Sequence, residues 1–236
     1  MFKAILEVVK FVEPDEIVHI GDLMDYPQPS RWTKGTREEF EGNIYSASEA
    51  AKKAILEPLR AVFDGPIGVH EGNHDMRPRL YLEKYAPALS QTDMLNFENL
   101  LDFDGFGITR LPDFYNVAAG WITTHGHLGG IRLNQNAGMT ALNGAKRIGK
   151  NIIMGHTHRA GVSSFTQGIE GQTNTITGVE VGHILNPKAV TYLRGASGNW
   201  QQGFALLEID KGNVTPRILP VLGNKVIVDG VVFPTR

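Results

Sequence analysis

The sequence contains no cysteine. Disulfides, thiolate zinc sites and cysteine nucleophiles are therefore excluded. It also lacks an excess of basic charge. The 23 Lys and Arg residues stand against 25 Asp and Glu, for a net charge of −2. The global positive field that drives non-specific coating of nucleic acid is missing, although an enzyme that acts on nucleotides stays open. No run reaches the roughly 18 apolar residues that span a bilayer. The first ten residues scatter Lys3, Glu7 and Lys10 among apolar side chains, unlike the basic, then apolar, then small-residue order of a signal peptide. A cytoplasmic protein with no membrane partner is expected. There is no Walker loop and no dinucleotide glycine pattern. Gly161-Val162-Ser163-Ser164 is not a nucleophile elbow, and no internal repeat or linker is visible.

The hydrophobic share of 42% in 236 residues is enough to bury a sizeable core. Phe2, Ile5, Leu6, Val9 and Val12 recur at helical spacing, which predicts an amphipathic helix over 2–12. Residues 16–20 read as a short β-branched strand that stops at Gly21-Asp22. An Ala-, Glu- and Lys-rich stretch over 36–63 reads as helix, kinked or divided by Pro58. Further strands are expected at about 66–70, 106–110, 114–117, 120–124 and 151–154. Helices are expected at about 78–86 and 134–149, with one helical turn at 97–101. After Ala160 the Thr- and Val-rich runs suggest antiparallel strands at about 173–182, 189–193, 203–210, 214–221 and 225–233. A βα rhythm followed by a β-rich end suits one domain over 1–236.

Chemistry gathers where the predicted strands end, as it does in α/β proteins. Asp22 follows the first strand, and Asp25 lies in the same loop. Gly72-Asn73-His74-Asp75 follows the second. His125-Gly126-His127 and His156-Thr157-His158 follow two more. Five of the eight histidines fall in these clusters. Carboxylate, amide oxygen and imidazole together suit Mn²⁺, Fe or Zn²⁺. A carboxylate can bridge two ions, and a pair of ions can hold an in-line phosphoryl displacement. The other notable residues have plainer readings. His19 reads as a core residue, His70 as a support for the loop after it, and His183 as remote from the clusters. Arg31-Trp32 could stack on a nucleobase, yet Trp32 and Trp200 are most simply structural.

Gly21-Asp22-Leu23-Met24-Asp25, Gly72-Asn73-His74-Asp75, Thr124-His125-Gly126-His127 and Gly155-His156-Thr157-His158, in that order and strand context, resemble the calcineurin-like metallophosphoesterase superfamily. The match runs from about residue 14 to 160. The resemblance implies an α/β fold, with two mixed β-sheets packed as a sandwich and flanked by helices. It implies hydrolysis of a phosphodiester or nucleotide phosphoester, nucleic acid included, by direct attack of metal-bound water. Asp22 would bridge two divalent ions (Mn, Fe or Zn). Asn73, His125 and His156 would complete one metal site, and His158 would belong to the other. His74 would face the phosphate and protonate the leaving group, with Asp75 orienting it. Asp25 would support the Asp22 loop. From their positions beside the motifs, His127 reads as a residue behind the ligands or facing substrate, and Arg77 and Arg159 could contact a phosphate, although an exposed Arg is commoner.

One departure stands out. The superfamily opens with a strand that ends in Asp-x-His, and no Asp-x-His precedes Asp22 here. The first strand and two ligands are thus missing. Only Asp22 and His158 remain for that ion, so a single bound metal is an open outcome. Two explanations stand. Either the native protein extends beyond Met1 to include the motif, or it lacks the strand and is mononuclear, weakly active or inactive. The second makes it a binding or scaffold module of the same fold. Oligomeric state is not legible.

Overall fold

The computed structural model describes residues 1–186 and 198–235. The chain forms two compact units, one of Met1–Val8 with Asp113–Arg236 and one of Val9–Pro112. Helix α1, Phe2–Val12, follows its apolar spacing and buries Ala4 and Val8.

The Val9–Pro112 unit is built on three short parallel strands, β1 (Ile17–His19), β2 (Ile67–Val69) and β3 (Ile108–Arg110), in the order β1-β2-β3. Between β1 and β2 lie α2 (Arg37–Phe40), α3 (Ile44–Ala51) and α4 (Glu57–Arg60); α5 (Arg77–Tyr85) and α6 (Phe97–Leu100) follow β2. The helical stretch expected over 36–63 is divided. Gly42, at a φ of 75°, separates α2 from α3. Pro58 has no N–H to give, and the helix accommodates it by widening to a π-turn over Lys52–Leu56, where the Glu57 N–H reaches back to the Lys52 carbonyl. Tyr26, Leu56, Ile67, Val69, Phe97, Leu101 and Phe103 pack together, all nearly or fully buried. Each contributes on the order of 1.5–3 kcal/mol of transfer free energy.

The other unit carries a five-stranded mixed sheet of β4 (Tyr115–Ala118), β5 (Trp121–Thr124), β6 (Asn151–Met154), β7 (Ala160–Ile169) and β8 (Gln172–Val181), ordered β4-β5-β6-β8-β7. β5, β6 and β8 run parallel, and β4 and β7 are antiparallel to their neighbours. Helix α7 (Met139–Ile148) covers one face, where Ala141 and Ala145 meet Ile122, Ile152 and Met154. A Cβ on Gly178 of β8 would lie 2.0 Å from the Leu142 nitrogen, so only glycine lets the helix backbone come this close. Trp121, Ile153 and Val179 fill the other face, with Leu207 and Ile218 against them. Two antiparallel hairpins complete the unit, β9 (Gly203–Asp210) with β10 (Asn213–Pro220) and β11 (Lys225–Val228) with β12 (Val231–Pro234).

The α/β class is observed, but the two sheets differ in kind: the three-stranded one is all parallel and only the five-stranded one is mixed. The strand expected over 225–233 is a hairpin, because Asp229 and Gly230 take φ values of 50° and 81°, as a two-residue hairpin turn requires. Strand β7 is not anticipated by the sequence. The strand expected at 189–193 lies outside the described residues. No described helix is long and apolar enough to cross a membrane.

Tyr26 gives a test of the first core. The residue is 1% exposed, its hydroxyl lies 2.7 Å from Ser48 Oγ, and burial pushes its pKa up to about 12. Between pH 10 and 12 the unfolded chain loses a proton that the folded chain keeps. Stability should therefore fall as pH rises, by about 1.4 kcal/mol per pH unit. Urea unfolding at pH 9 and pH 11 should show this loss in the wild type and not in Tyr26→Phe. Equal losses in the two proteins would refute it.

Candidate functional site

In the Val9–Pro112 unit, parallel pairing of β1 and β2 brings their carboxyl ends to one edge. The Asp22 and Asn73-His74 loops emerge there side by side. Gly21 and Asp22 turn sharply, with φ values of 88° and 52°, and the Asp22 Oδ1 accepts the His74 backbone N–H at 2.9 Å. Gly72 must be glycine, since a Cβ would lie 2.1 Å from Asp22 Oδ1 and 2.3 Å from its nitrogen. Asn73 sits half-buried in the same loop.

Two carboxylates exchange the roles that the resemblance implies. Asp75, expected to orient His74, is 1% exposed and binds the two loops together. Its Oδ1 accepts from the Met24 N–H and its Oδ2 from the Gly72 N–H, both at 2.8 Å. Asp25, expected to support the Asp22 loop, is the carboxylate on His74, with Oδ1 2.6 Å from Nδ1. The cause is local. The chain turns tightly here, with the Met76 N–H on the Gly72 carbonyl, so adjacent side chains diverge. Arg77 locks the arrangement. Its Nη1 donates to the Asp25 carboxylate and carbonyl, and its Nη2 lies 3.2 Å from His74 Nε2. A guanidinium can only donate, so Nε2 accepts and the ring proton sits on Nδ1, facing Asp25. The hydrogen bond from His74, with Arg77 beside it, holds the Asp25 carboxyl below the usual carboxylate range.

In the other unit, β5 and β6 are parallel and buried, and their carboxyl ends deliver four histidines. His125 is 3% exposed. Its Nε2 lies 3.2 Å from His156 Nδ1, with ring centroids 5.0 Å apart. His127 stands next to this pair, 5.2 Å from His125 and 6.2 Å from His156 by centroid. His158 packs edge-on against Trp200 at 4.4 Å and lies 5.5 Å from His183. Arg159 is directed to Gln135, its Nη2 3.2 Å from Oε1. His156 and His158 hold φ values of 62° and 59°, a backbone region that non-glycine residues occupy at a cost of roughly 1–3 kcal/mol each.

His183 and Trp200 are site neighbours that sequence reading misses. His183 follows β8 after Gly182, at a φ of 83°, as the other site histidines follow their strands, and that position was the available signal. Burial, with His158 beside it, pushes His183 down to about 4, so it is neutral at pH 7.

The His125–His156 pair tests whether these residues suit a metal. Two imidazole nitrogens on one ion, at bonds of about 2.0–2.1 Å, lie roughly 2.9–3.4 Å apart. The observed 3.2 Å falls within that range.

The chain is 54% identical over 232 residues to the Gene 54 protein of Mycobacterium phage D29, a match covering 98% of this chain and 91% of the relative. It belongs to the mycobacteriophage gene 54 protein family. The corresponding protein of Mycobacterium phage L5 is 53% identical over 232 residues, with the same coverage. No protein-family model matches the sequence.

The gene 54 family chain offers a direct readout of its His74 network. Nitrogen-15 NMR of the ring should find the proton on Nδ1 at neutral pH. Asp25→Ala removes both the acceptor at Nδ1 and the carboxylate that anchors Arg77 at Nε2, and should shift the ring toward the Nε2–H form. An unchanged tautomer in the variant would show that Asp25 does not set it.

Proposed function

We propose that this gene 54 family protein is a metal-dependent phosphoesterase of calcineurin-like fold, acting on a phosphodiester or nucleotide phosphoester. The observation that carries the reading is the His125–His156 pair at ligand spacing, set within four motifs in the superfamily's order. In this reading Asp22 would serve two divalent ions, Asn73, His125 and His156 would complete the ligands of one, and His158 would belong to the other. The donor set of carboxylate, amide and imidazole fits Mn, Fe or Zn.

When bound, such ions polarise phosphoryl oxygens and lower the pKa of water towards 7, which supplies the nucleophile. The chain's own groups do the rest. Asp25 holds the ring proton of His74 at Nδ1, so Nε2 is the nitrogen that faces the reaction, and it passes a proton to a leaving oxygen only after taking one up, the ring then being imidazolium. Arg77 rests on that nitrogen. A bound phosphate draws the guanidinium to itself, since planar forks bind phosphate in a bidentate manner, and frees Nε2 to face the leaving group. Asp75 keeps both loops in register by holding Met24 and Gly72.

Hydrolysis of bis-p-nitrophenyl phosphate with added Mn²⁺ tests this reading. The wild type should turn over only with metal. His74→Ala should lower kcat by about 10²–10⁴ while keeping its metal. His125→Ala and His156→Ala should lose bound ion by elemental analysis. Absence of metal-stimulated turnover, with less than one ion per chain, would instead leave a binding module of the same fold.

A further inference from the structure

We propose that the loop over residues 31–36 and the exposed face of α5 form a platform for single-stranded nucleic acid, which would be the substrate class of the phosphoesterase site. The word substrate rests on the phosphoesterase reading; the platform itself does not.

Cations and aromatic rings alternate on this surface of the Val9–Pro112 unit. The Arg31 guanidinium lies 4.5 Å from the Trp32 ring centroid. Lys34 Nζ lies 3.1 Å from the Tyr85 centroid and 5.9 Å from that of Tyr81. Lys84 Nζ is 5.2 Å from Tyr85, and the two tyrosine rings are 4.7 Å apart. The loop and the helix thus present one surface. Trp32 is 75% exposed and Tyr85 43%, so both keep solvent-facing ring area beside the cations that lie over them. An indole left this open is a recognition feature more than a packing one.

The charge points to the occupant. Arg37 and Arg79 are paired with Glu41 and Glu83. Arg31, Lys34 and Lys84 have no carboxylate partner among the described residues. Cations without a carboxylate partner, lying on exposed aromatic rings, are what unpaired nucleotides need: phosphates draw the cations and bases take the ring faces. A duplex hides its base faces and cannot use the rings. Connectivity supports the link to the site. The loop follows Asp25, and α5 begins at Arg77, which touches His74. Tyr85 lies about 12 Å along the helix from Arg77, so a strand on the platform leads toward His74.

The test is fluorescence anisotropy of a labelled oligothymidylate of about 15 nucleotides, with the full chain in EDTA so that binding is read without turnover. Wild type should bind. Trp32→Ala and Tyr85→Ala should each weaken binding about 10-fold or more, while Trp32→Phe keeps most of it. Arg31→Ala with Lys34→Ala should reduce the slope of log affinity against log salt by about 1.4. All these variants should hydrolyse bis-p-nitrophenyl phosphate at the wild-type rate. No oligonucleotide binding, or binding untouched by these substitutions, overturns the proposal. So does a Trp32-dependent affinity for phosphatidylserine vesicles without affinity for the oligonucleotide. If oligonucleotide binding stands and hydrolysis of the small diester fails, the platform survives and the phosphoesterase reading does not.

Discussion

The Asp75 carboxylate is the constraint on which the Val9–Pro112 loop cluster depends. A carboxylate that is 1% exposed is tolerable only when its oxygens are well hydrogen-bonded. Here they accept from the Met24 and Gly72 N–H groups. One side chain thereby joins the loop after β1 to the loop after β2. With that distance fixed, Gly72 lies against Asp22, and the Asp22 Oδ1 takes the His74 N–H. Asp22, Asn73 and His74 are then displayed by well-held backbone at the carboxyl end of a parallel pair, where ligands gather in α/β sheets.

Asp25, His74 and Arg77 form a second layer of order above that frame. His74 is gripped at both ring nitrogens, by a carboxylate at Nδ1 and a guanidinium at Nε2. The grip fixes the tautomer and leaves one movable part, the arginine. An anion arriving at Arg77 would compete with Asp25 for the guanidinium. Anion binding and the exposure of Nε2 would thus be coupled through a single side chain.

The histidine cluster of the other unit shows backbone strain placed where side-chain aim matters. His156 and His158 both adopt left-handed φ values, as Asp22 does across the chain. Glycine would hold these turns at less cost. Keeping a carboxylate or imidazole there instead is a sign that the side chain is what the position is for. Buried, β-branched strands β5 and β6 beneath α7 are stiff enough to hold that strain.

Much of this was legible before any coordinates. The spacing of Phe2, Ile5, Leu6, Val9 and Val12 determined α1. Short apolar runs ending in Gly or polar residues determined β1, β2, β5 and β6; in β2, β5 and β6 burial on both faces requires such runs, and β1 is half-buried. The same ends marked Asp22, Asn73, His74, His125, His156 and His158. What sequence could not show depends on partners distant in the chain. Strand β7 is Ser-, Thr- and Gly-rich with no apolar alternation, and it exists because β8 pairs with it residue for residue, Ser164 with Thr177 and Thr166 with Thr175. His183 and Trp200 reach His158 only through the folded chain. The choice between Asp25 and Asp75 as partner of His74 was likewise tertiary: adjacency in sequence suggested Asp75, and the turn at 72–76 sends that side chain inward. Sequence determined which residue types stand at the strand ends, since local patterning sets where strands stop. Only the tertiary structure decided which of them touch, since that depends on turn geometry and on pairing across many residues.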